Sequence, residues 1–564
     1  MPVAALSRRV SSWLTSWPVS RPSTRRACRA IALGAAVTTL VACSNPTPPR
    51  DTHVFVDNVS LFPLANYDQN VDRWLDPNSP DYDRPFLSAA EQRAHFDALS
   101  ARYFGTGPNA PSPWNAAYVT TRVFREQGAD IAALQQRRID KFDNTGKQGR
   151  VLGYGENFRP HDKAWIDAIA RNMNVAQFTQ TPVYRPERRA IATGNLMVRE
   201  LPTTDPSFYS HRLAGEGYPF DNLQISAVRP GTPLYVLGSS VDGAWHYVQT
   251  PDVQGWVRSD GVAFADDRFI DRWRAAAGQS LGAVIVASAA VSDSRAVFRF
   301  DAPAGTMLPL VPESTAAPAH SRGKTAAAAA AAADDMDGAN GAAGPLAANT
   351  TAPTRQLLVP VRDVDGRALI RTASLDASQI APMPLAATPR HLAMLMKALI
   401  GRPYGWGNSG LYNDCSSELQ SIFAAFGVWL PRHSSTQMNA GRMTDLSDAT
   451  PAARLDYLAR HGVPLRTLIY IGGHVMLYLG NTTRDGVTVP VVYQDVWGLR
   501  PADNSRRAVI GGSVILPLYE HIPEDATLQS LAATRTFQIS ILGAPAGSAV
   551  PASAPPADED NPAG

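Results

Sequence analysis

The sequence predicts a multidomain α+β protein with a helical N-terminal domain, two small β-barrels and a C-terminal α+β domain. Its 564 residues are too many for one hydrophobic core, because a domain usually takes about 100–200 residues. Helical spacing of apolar residues marks the chain up to about residue 175, and short strands separated by Gly, Pro and Asp turns follow. Near the C-terminus, a helix with one cysteine and a long β-hairpin occur together.

Residues 1–42 have the form of an export signal, with a basic region followed by the apolar run Ala30–Ala42. That run is shorter than the about 20 residues of a membrane span. It ends in Leu40-Val41-Ala42-Cys43, which resembles the bacterial lipobox, so we expect Cys43 to be lipidated; an ordinary signal with a chance cysteine is the alternative. Ser44 at the next position favours the periplasmic face of the outer membrane.

The net charge and the motifs of the chain limit which partners and cofactors can be expected. The formal charge is +2, and the leader contains six arginines and no acidic residue, so without it the charge becomes −4. A mildly acidic protein has no electrostatic footprint for nucleic acid. Because no HExxH, CxxC or similar cluster occurs, we expect no metal or other cofactor. A monomer is expected.

A Pro-rich tether, residues 43–51, precedes a helical domain at residues 52–175. Ser88-Ala89-Ala90-Glu91 has the form of a capping box and predicts a helix to about Phe104. Trp165, Ile166 and Ile169 have helical spacing and predict a second helix.

Residues 176–275 predict a first small β-barrel, because four short strands are separated by turn residues. These strands are Asn195–Arg199, Pro233–Leu237, Trp245–Val248 and Gly255–Val257. The motif Asp242-Gly243-Ala244-Trp245, followed by Gly255-Trp256-Val257, resembles bacterial SH3 domains. We expect each tryptophan to pack in the core.

Residues 276–385 predict a second SH3-like barrel, interrupted by residues 314–354. This insertion contains the run Ala326–Ala333 among Gly, Pro and Thr residues that offer it nothing to pack against. We therefore predict a disordered insertion, and a disordered Pro- and Ala-rich tail at residues 544–564.

Residues 386–543 contain the candidate nucleophile. Asp414 is a plausible N-cap for a helix that runs to Phe426 and stops at Gly427. Cys415 lies in the first turn of this helix, one turn before Leu419 on its apolar face. Small buried cysteines are common in cores, but a helix N-terminus favours a thiolate, so the position predicts a lowered thiol pKa when a cationic neighbour helps. Of the other two cysteines, Cys28 lies in the leader and Cys43 would be acylated.

His474 is the candidate base. It begins the alternating strand Gly473–Leu479, which turns at Asn481–Gly486 and returns as Val487–Val496. If Val475, Leu477 and Leu479 face the core, His474 lies on the opposite face. A structural histidine fits this pattern equally well.

The register of this hairpin predicts the neighbour of His474. An unbulged pair with a turn centred on Arg484 gives a continuous apolar face and sets His474 opposite Gln494. A turn centred half a residue earlier sets Tyr493 opposite His474, with Asp495 reachable diagonally. We choose the first register, and with it Gln494.

Several short motifs follow one another as in the NlpC/P60 cysteine peptidases. They are Tyr404-Gly405-Trp406-Gly407, Asp414-Cys415-Ser416, Leu430-Pro431-Arg432-His433-Ser434, Gly472-Gly473-His474 and Val496-Trp497-Gly498. The helical domain with Gly155-Glu156-Asn157 and the two SH3-like modules resemble the subgroup of γ-D-glutamyl-L-diamino acid endopeptidases with a stabilising domain.

The resemblance implies a papain-like fold in which Cys415 attacks the γ-D-glutamyl carbonyl and His474 transfers the proton. It places Gln494 where the family often has a third catalytic histidine, and Ser417 where it commonly has glycine. Asp414 could instead merely cap its helix, and Arg432 could merely form a surface ion pair. The positions that match substrate-binding residues are Tyr404, Asp414, Ser416, Arg432 and Ser434.

The expected function is therefore that of a lipid-anchored cell-envelope endopeptidase that cuts the γ-D-glutamyl-diaminopimelate bond of peptidoglycan-derived peptides. An amidase or transferase on the same scaffold is one alternative, because fold and dyad do not dictate the acyl donor. A non-catalytic wall-binding lipoprotein with a vestigial peptidase is the other. The presence of both Cys415 and His474 argues against the second alternative.

Overall fold

Helices build most of the N-terminal domain, as the sequence predicts. The computed structural model describes residues 58–145, 153–180, 182–312 and 353–543. Ser88 Oγ accepts the N–H of Glu91 at 3.2 Å and the Glu91 carboxylate accepts the N–H of Ser88 at 2.9 Å, which confirms the predicted capping box. The elements are β1 (Val59–Leu61), α1 (Val71–Trp74), α2 (Ala89–Phe104), α3 (Ala116–Tyr118), α4 (Ala129–Phe142), α5 (Lys163–Met173) and α6 (Gln177–Gln180). The helix predicted around Trp165 is confirmed as α5, with Ile166 and Ile169 buried.

The first SH3-like module forms one sheet with the pairing order β4-β3-β7-β6-β5-β2-β8. Its strands are β2 (Arg189–Ala192), β3 (Leu196–Arg199), β4 (Gln224–Val228), β5 (Pro233–Ser239), β6 (Trp245–Gln249), β7 (Gln254–Arg258) and β8 (Val262–Phe264). Trp245 and Trp256 are buried, so their predicted core role is confirmed. The described strands do not close into a barrel; β4 lies instead against the C-terminal domain, where Gln224 donates to Gly407 O at 2.9 Å.

The second module follows α7 and divides into three small sheets in the described residues, with orders β10-β11, β12-β9-β15 and β13-β14. Its elements are α7 (Asp267–Gln279), β9 (Leu281–Val284), β10 (Ser288–Ser292), β11 (Phe298–Pro303), β12 (Met307–Pro309), β13 (Thr354–Arg362), β14 (Ala368–Asp376) and β15 (Ile380–Pro382). Strands resume at Thr354, as predicted. Nearly all of the predicted insertion, the predicted C-terminal tail, the leader and Cys43 lie outside the described residues.

The C-terminal domain places helices on both faces of an otherwise antiparallel sheet with the order β1-β20-β19-β18-β17-β21-β16. Leu419, Ile422 and Phe423 of α9 are fully buried against one face, and Leu458 of α11 packs on the other. The elements are α8 (Pro389–Leu399), α9 (Cys415–Ala425), α10 (Ser434–Gln437), β16 (Arg442–Asp445), α11 (Pro451–His461), β17 (Thr467–Tyr470), β18 (Val475–Arg484), β19 (Val487–Leu499), β20 (Arg507–Pro517) and β21 (Gln538–Ile541).

The predicted register of the β18–β19 hairpin is wrong. Leu477 pairs with Tyr493, two residues beyond its predicted partner Val491. The strands extend farther than predicted to a two-residue turn, Asp485-Gly486, whose positive φ angles of 50° and 78° suit a tight hairpin turn. The register shifts at Leu479, between Tyr478 and Gly480, and this irregularity was not predicted. On the His474 side of this irregularity the pairing differs from the predicted one by two residues. Because two is an even number, the side chains there keep their predicted faces of the sheet.

The start of the described chain belongs to the C-terminal sheet, which the sequence did not indicate. Strand β1 runs parallel to β20, with Val59 opposite Arg507. Farther along the chain, the Gln69 side chain forms two hydrogen bonds with the backbone of β20. Its Nε2 donates to Ile515 O at 3.0 Å, and its Oε1 accepts the N–H of Ile515 at 2.9 Å. Across the described residues, no helix combines the length and apolar character that a bilayer span requires.

Gln69→Ala should destabilise the protein, because it removes two hydrogen bonds to the β20 backbone. A net contribution of about 1 kcal/mol for each bond gives a loss of about 2 kcal/mol in the free energy of unfolding. Urea denaturation followed by circular dichroism measures it. Asn66→Ala is the control, since its amide makes only an exposed 3.5 Å contact with Glu524. Equal midpoints for the two variants would contradict the role of Gln69.

Candidate active site

The helix that carries the candidate nucleophile begins and ends as predicted. Asp414 caps it by accepting the N–H of Ser417 at 3.0 Å, and Ser417 Oγ accepts the N–H of Asp414 at 2.8 Å. Ser417 thus completes a capping box. The NlpC/P60 peptidases that the sequence resembles commonly have glycine at this position. Gly427 follows the helix with φ 76°, a conformation that glycine adopts readily.

Cys415 lies beside the residues that lead into β18, which begins at Val475, one residue after His474. The thiol is 5% exposed, and its Sγ donates to Gly473 O at 3.9 Å. Gly472 and Gly473 have φ angles of 80° and 88°, which favour glycine, and they turn the chain into β18. The structure therefore brings the thiol against the residue that immediately precedes the candidate base.

Gln494 holds the imidazole of His474. The Nε2 of His474 and the Oε1 of Gln494 are 2.7 Å apart, and both residues are buried. With the amide oxygen as acceptor, the ring proton resides on Nε2, which leaves Nδ1 as the nitrogen that can accept a thiol proton. The expected neighbour is correct although the expected register is not, because Gln494 reaches His474 diagonally.

Asp495 does not take part in this hydrogen bond. It is 1% exposed, its Oδ1 has no hydrogen-bond partner, and its pKa lies well above the ordinary value because it is buried near Glu418 and Asp414. Glu418 is buried as well and accepts hydrogen bonds from Tyr493, Ser513 and Asn413. Its pKa is also raised by burial. Because burial favours the protonated form of Asp495 and the hydrogen bond of His474 goes to Gln494, Asp495 is poorly placed to supply the anion that usually stabilises an imidazolium.

The predicted lowering of the thiol pKa is wrong for the free protein. Burial raises the pKa of Cys415 to about 12, and the negative charge of Asp414 adds to the increase. Burial likewise lowers the pKa of His474 to about 4. The helix N-terminus that should favour a thiolate already interacts with the carboxylate that caps it. Near neutral pH the pair is therefore a thiol and a neutral imidazole.

Asp414 and Arg432 form a buried two-pronged ion pair, so the alternative of a surface ion pair is wrong. Arg432 Nη2 and Nη1 lie 2.6 and 3.1 Å from the two carboxylate oxygens. Burial alone would raise the pKa of Asp414, but Arg432 and the hydrogen bonds of Ser417 hold it below the ordinary value. Arg432 also donates to Ser416 Oγ at 2.9 Å and Asn408 Oδ1 at 3.1 Å.

The remaining predicted binding residues surround this ion pair. Ser416 Oγ donates to Asp414 Oδ1 at 3.2 Å, and Ser434 is buried at the start of α10. Tyr404 is half-buried, and its pKa is raised first by burial and then by the nearby Cys415, Asp414 and Asp495. All five predicted positions therefore belong to one region, around the first turn of α9.

The first SH3-like module contributes residues that the sequence did not indicate. Ser226 Oγ accepts from Arg432 Nε at 2.7 Å, and Asp221 O accepts from Trp406 Nε1 at 3.0 Å. The ring of Phe220 lies 5.5 Å from Trp406 and 5.1 Å from Trp497. These contacts join segments far apart in the chain, so no local pattern announces them.

Comparisons with known proteins agree with this architecture. Residues 401–503 match the NlpC/P60 family, residues 206–258 an SH3 domain of the SH3b1 type and residues 266–315 an SH3 domain of the SH3b2 type. The chain is 35% identical over 86 residues, 15% of its length, to the gamma-D-glutamyl-L-lysine dipeptidyl-peptidase of Bacillus subtilis (strain 168). The match spans only 29% of that relative.

Solved structures include an NlpC/P60 endopeptidase from Photobacterium damselae subsp. piscicida. It is 24% identical with a TM-score of 0.66, and the match covers 87% of this chain and all of that one. An NlpC/P60 family protein from Bacillus cereus ATCC 10987 matches at 14% identity with a TM-score of 0.37, over 61% of this chain and 98% of that one. The first likeness supports the overall fold.

Gln494→Ala should lower turnover by at least about tenfold, because positioned acid–base catalysis contributes about 10²- to 10⁴-fold. The matched control is the neighbouring Asp495→Asn, which replaces the carboxyl with an amide of similar shape and should do little. Steady-state kinetics on a soluble peptide compares them. If Asp495→Asn were the more damaging change, Asp495 rather than Gln494 would support the imidazole.

Alkylation of Cys415 by iodoacetamide should rise with pH without a plateau. Because the thiol pKa is raised to about 12, the reactive thiolate grows about tenfold per unit between about pH 6 and about pH 10. Mass spectrometry of the Cys415 peptide gives the rate, with Cys415→Ser as the background. A rate that stays constant from acidic to neutral pH would instead show a preformed thiolate–imidazolium pair.

Proposed function

Residues 401–503 are an NlpC/P60 cysteine-peptidase domain that follows SH3 modules, and from this premise we propose a cell-envelope endopeptidase. Its substrate is the γ-D-glutamyl-diaminopimelate bond of peptidoglycan stem peptides. The observation that carries the proposal is the buried His474–Gln494 hydrogen bond beside Cys415 at a capped helix N-terminus. The name of the Bacillus subtilis relative supports a γ-D-glutamyl bond.

The reaction starts from a neutral thiol and imidazole. His474 Nδ1 accepts the thiol proton as Sγ bonds to the γ-carbonyl carbon, and Gln494 Oε1 keeps the ring oriented. Cys415 is the first residue of its helix, so its N–H lacks an intrahelical partner and can stabilise the oxyanion. The imidazolium then protonates the leaving amine as the C–N bond breaks. Water, activated by His474, hydrolyses the thioester and restores the thiol.

The neutral partner of His474 affects the energetics of this step. An amide oxygen orients the ring but does not stabilise an imidazolium as a carboxylate would. Because the pKa of His474 is about 4 and that of Cys415 about 12, a fully formed ion pair is unfavourable in the closed site. Proton transfer must therefore proceed together with attack on the substrate.

We assign the glutamate α-carboxylate and nearby groups of the substrate to Tyr404, Ser416, Ser434 and the Asp414–Arg432 pair. Arg432 donates to several protein groups in the free protein, so contact with a carboxylate would require it to exchange one of them. Ser416 Oγ accepts a hydrogen bond from the same nitrogen, Arg432 Nη1, that donates to Asp414. Rotation of the Ser416 hydroxyl towards the substrate would cost less free energy than movement of the Arg432 guanidinium.

The first SH3 module favours short peptides in this proposal. Phe220 contacts both Trp406 and Trp497, and Asp221 fixes Trp406 through its backbone. We propose that this contact forms one wall of the region around Cys415. A free peptide can enter beside such a wall more easily than a stem still attached to glycan.

We also propose lipid anchoring through Cys43 and a location on the periplasmic face of the outer membrane, which rests on the lipobox-like sequence before Cys43. Metabolic labelling with a palmitate analogue tests this anchor. The Cys43→Ala protein should lose the label and appear in the soluble fraction, whereas retention of both label and membrane association would contradict the assignment.

The protein should release L-Ala-γ-D-Glu from L-Ala-γ-D-Glu-meso-diaminopimelate, and it should cut the same γ-D-glutamyl-diaminopimelate bond in intact sacculi much more slowly, as detected by mass spectrometry. Cys415→Ser should abolish both reactions without lowering the melting temperature. Cleavage of an amide elsewhere in the peptide would favour an amidase, and binding to sacculi without any cleavage would favour the wall-binding alternative. Equal rates on both substrates would contradict the role of the SH3 module.

A further inference from the structure

A buried acid on the helix of the candidate nucleophile has no cationic partner. Glu418 in α9 is 1% exposed, and in the described part of the chain no nitrogen of a lysine, arginine or histidine lies within 4.0 Å of its carboxylate. Asp414, which caps the same helix, is paired with Arg432. Burial of an unpaired carboxylate costs free energy, and burial raises the pKa of Glu418. The contribution of Glu418 must therefore come from its hydrogen bonds.

Glu418 joins α9 to three other segments of the C-terminal domain. Its Oε1 accepts from the hydroxyl of Tyr493 in β19 and, at 2.8 Å, from Ser513 Oγ in β20. Its Oε2 accepts from Asn413 Nδ2 at 2.5 Å, in the loop before the helix. Tyr493 and Ser513 are buried, so water does not compete for these bonds. One side chain therefore connects the helix directly to two strands of the sheet.

The candidate nucleophile and the partner of the candidate base are both close to this junction along the chain. Cys415 precedes Glu418 by three residues, so the two are neighbours on one side of α9. Tyr493 immediately precedes Gln494, whose Oε1 lies 2.7 Å from His474 Nε2. Cys415 and Tyr493 also belong to the same buried apolar cluster. A shift of α9 along β19 would therefore displace the sulfur relative to the imidazole.

We propose that Glu418 is a positioning residue, which holds α9 on β19 so that the Cys415 thiol stays aligned with the His474 imidazole. The inference rests on the proposed peptidase function. A displacement of about 1 Å between reacting groups can lower turnover about 100-fold. The groups assigned to the substrate are held separately, by the ion pair of Asp414 and Arg432. Loss of the Glu418 link should therefore affect kcat and leave KM nearly unchanged.

Tyr493→Phe tests the link, because it removes only the hydroxyl that connects β19 to Glu418. On L-Ala-γ-D-Glu-meso-diaminopimelate it should lower kcat about tenfold and change KM less than about twofold. Tyr478→Phe is the matched control. Tyr478 is also buried, in the neighbouring strand β18, but its hydroxyl donates to Asn481 at 2.7 Å rather than to α9. The control should lose one hydrogen bond and keep its kcat.

A double-mutant cycle separates positioning from a general loss of stability. In the Gln494→Ala background the imidazole is no longer tied to β19, so Tyr493→Phe should lower kcat little further. Glu418→Gln, which keeps the shape of the side chain but not its charge, should also lower kcat with little change in KM. Equal kcat for Tyr493→Phe and Tyr478→Phe, or additive losses with Gln494→Ala, would show that the contact is only structural and overturn the inference.

NMR of the His474 ring N–H, in protein with isotope-labelled histidine, reads the same alignment without turnover. Tyr493→Phe should shift this resonance, whereas Tyr478→Phe should leave it in place. If the wild-type protein cleaves no peptide, the proposed function fails and the resonance alone decides the role of Glu418. A shift confined to Tyr493→Phe would then support the positioning role, and identical spectra of the two variants would overturn it.

Discussion

The buried ion pair between Asp414 and Arg432 is the interaction on which the candidate site depends. Asp414 fixes the first turn of α9, and Arg432 links that turn to Asn408 in the preceding loop and to Ser226 in the first SH3 module. Buried ion pairs often contribute little net stability, but removal of one partner typically costs about 3–5 kcal/mol. The pair therefore fixes the position of the nucleophile relative to two domains more than it stabilises the fold.

The same ion pair sets the chemistry of the thiol. A capping carboxylate next to Cys415 counteracts the positive end of the helix, and burial removes the water that would solvate a thiolate. In the resting site the sulfur and the imidazole are therefore both uncharged, with one proton on Cys415 and one on an imidazole nitrogen. Substrate binding would present the carbonyl carbon to the sulfur, so that charge forms only as the new bond is made.

Local signals in the sequence predicted local structure well. The capping box at Ser88, the limits of the helix after Cys415 and the buried tryptophans of the first SH3 module all follow from short patterns. The hairpin register could not be derived, because the irregularity at Leu479 has no sequence signature and the strands continue past the expected turn. Gln494 was still identified, since the even slip preserved the alternation of side chains.

What the sequence could not show depends on contacts between distant segments. Ser226, Asn408 and Gln69 are ordinary polar residues in their own surroundings, and their roles appear only when modules meet. The thiol pKa was misjudged for the same reason: a helix position can be recognised from sequence, whereas the depth at which it is buried depends on everything packed around it.

Strand β1 has a consequence for the order in which the protein is made. Ser60 contacts Arg507 across a sequence separation of 447 residues, so the first described strand is synthesised long before its partner exists. Until β20 is made, strand β1 has no partner in the sheet. The last domain can be completed only when nearly the entire chain is available, which couples assembly of the region around Cys415 to completion of synthesis.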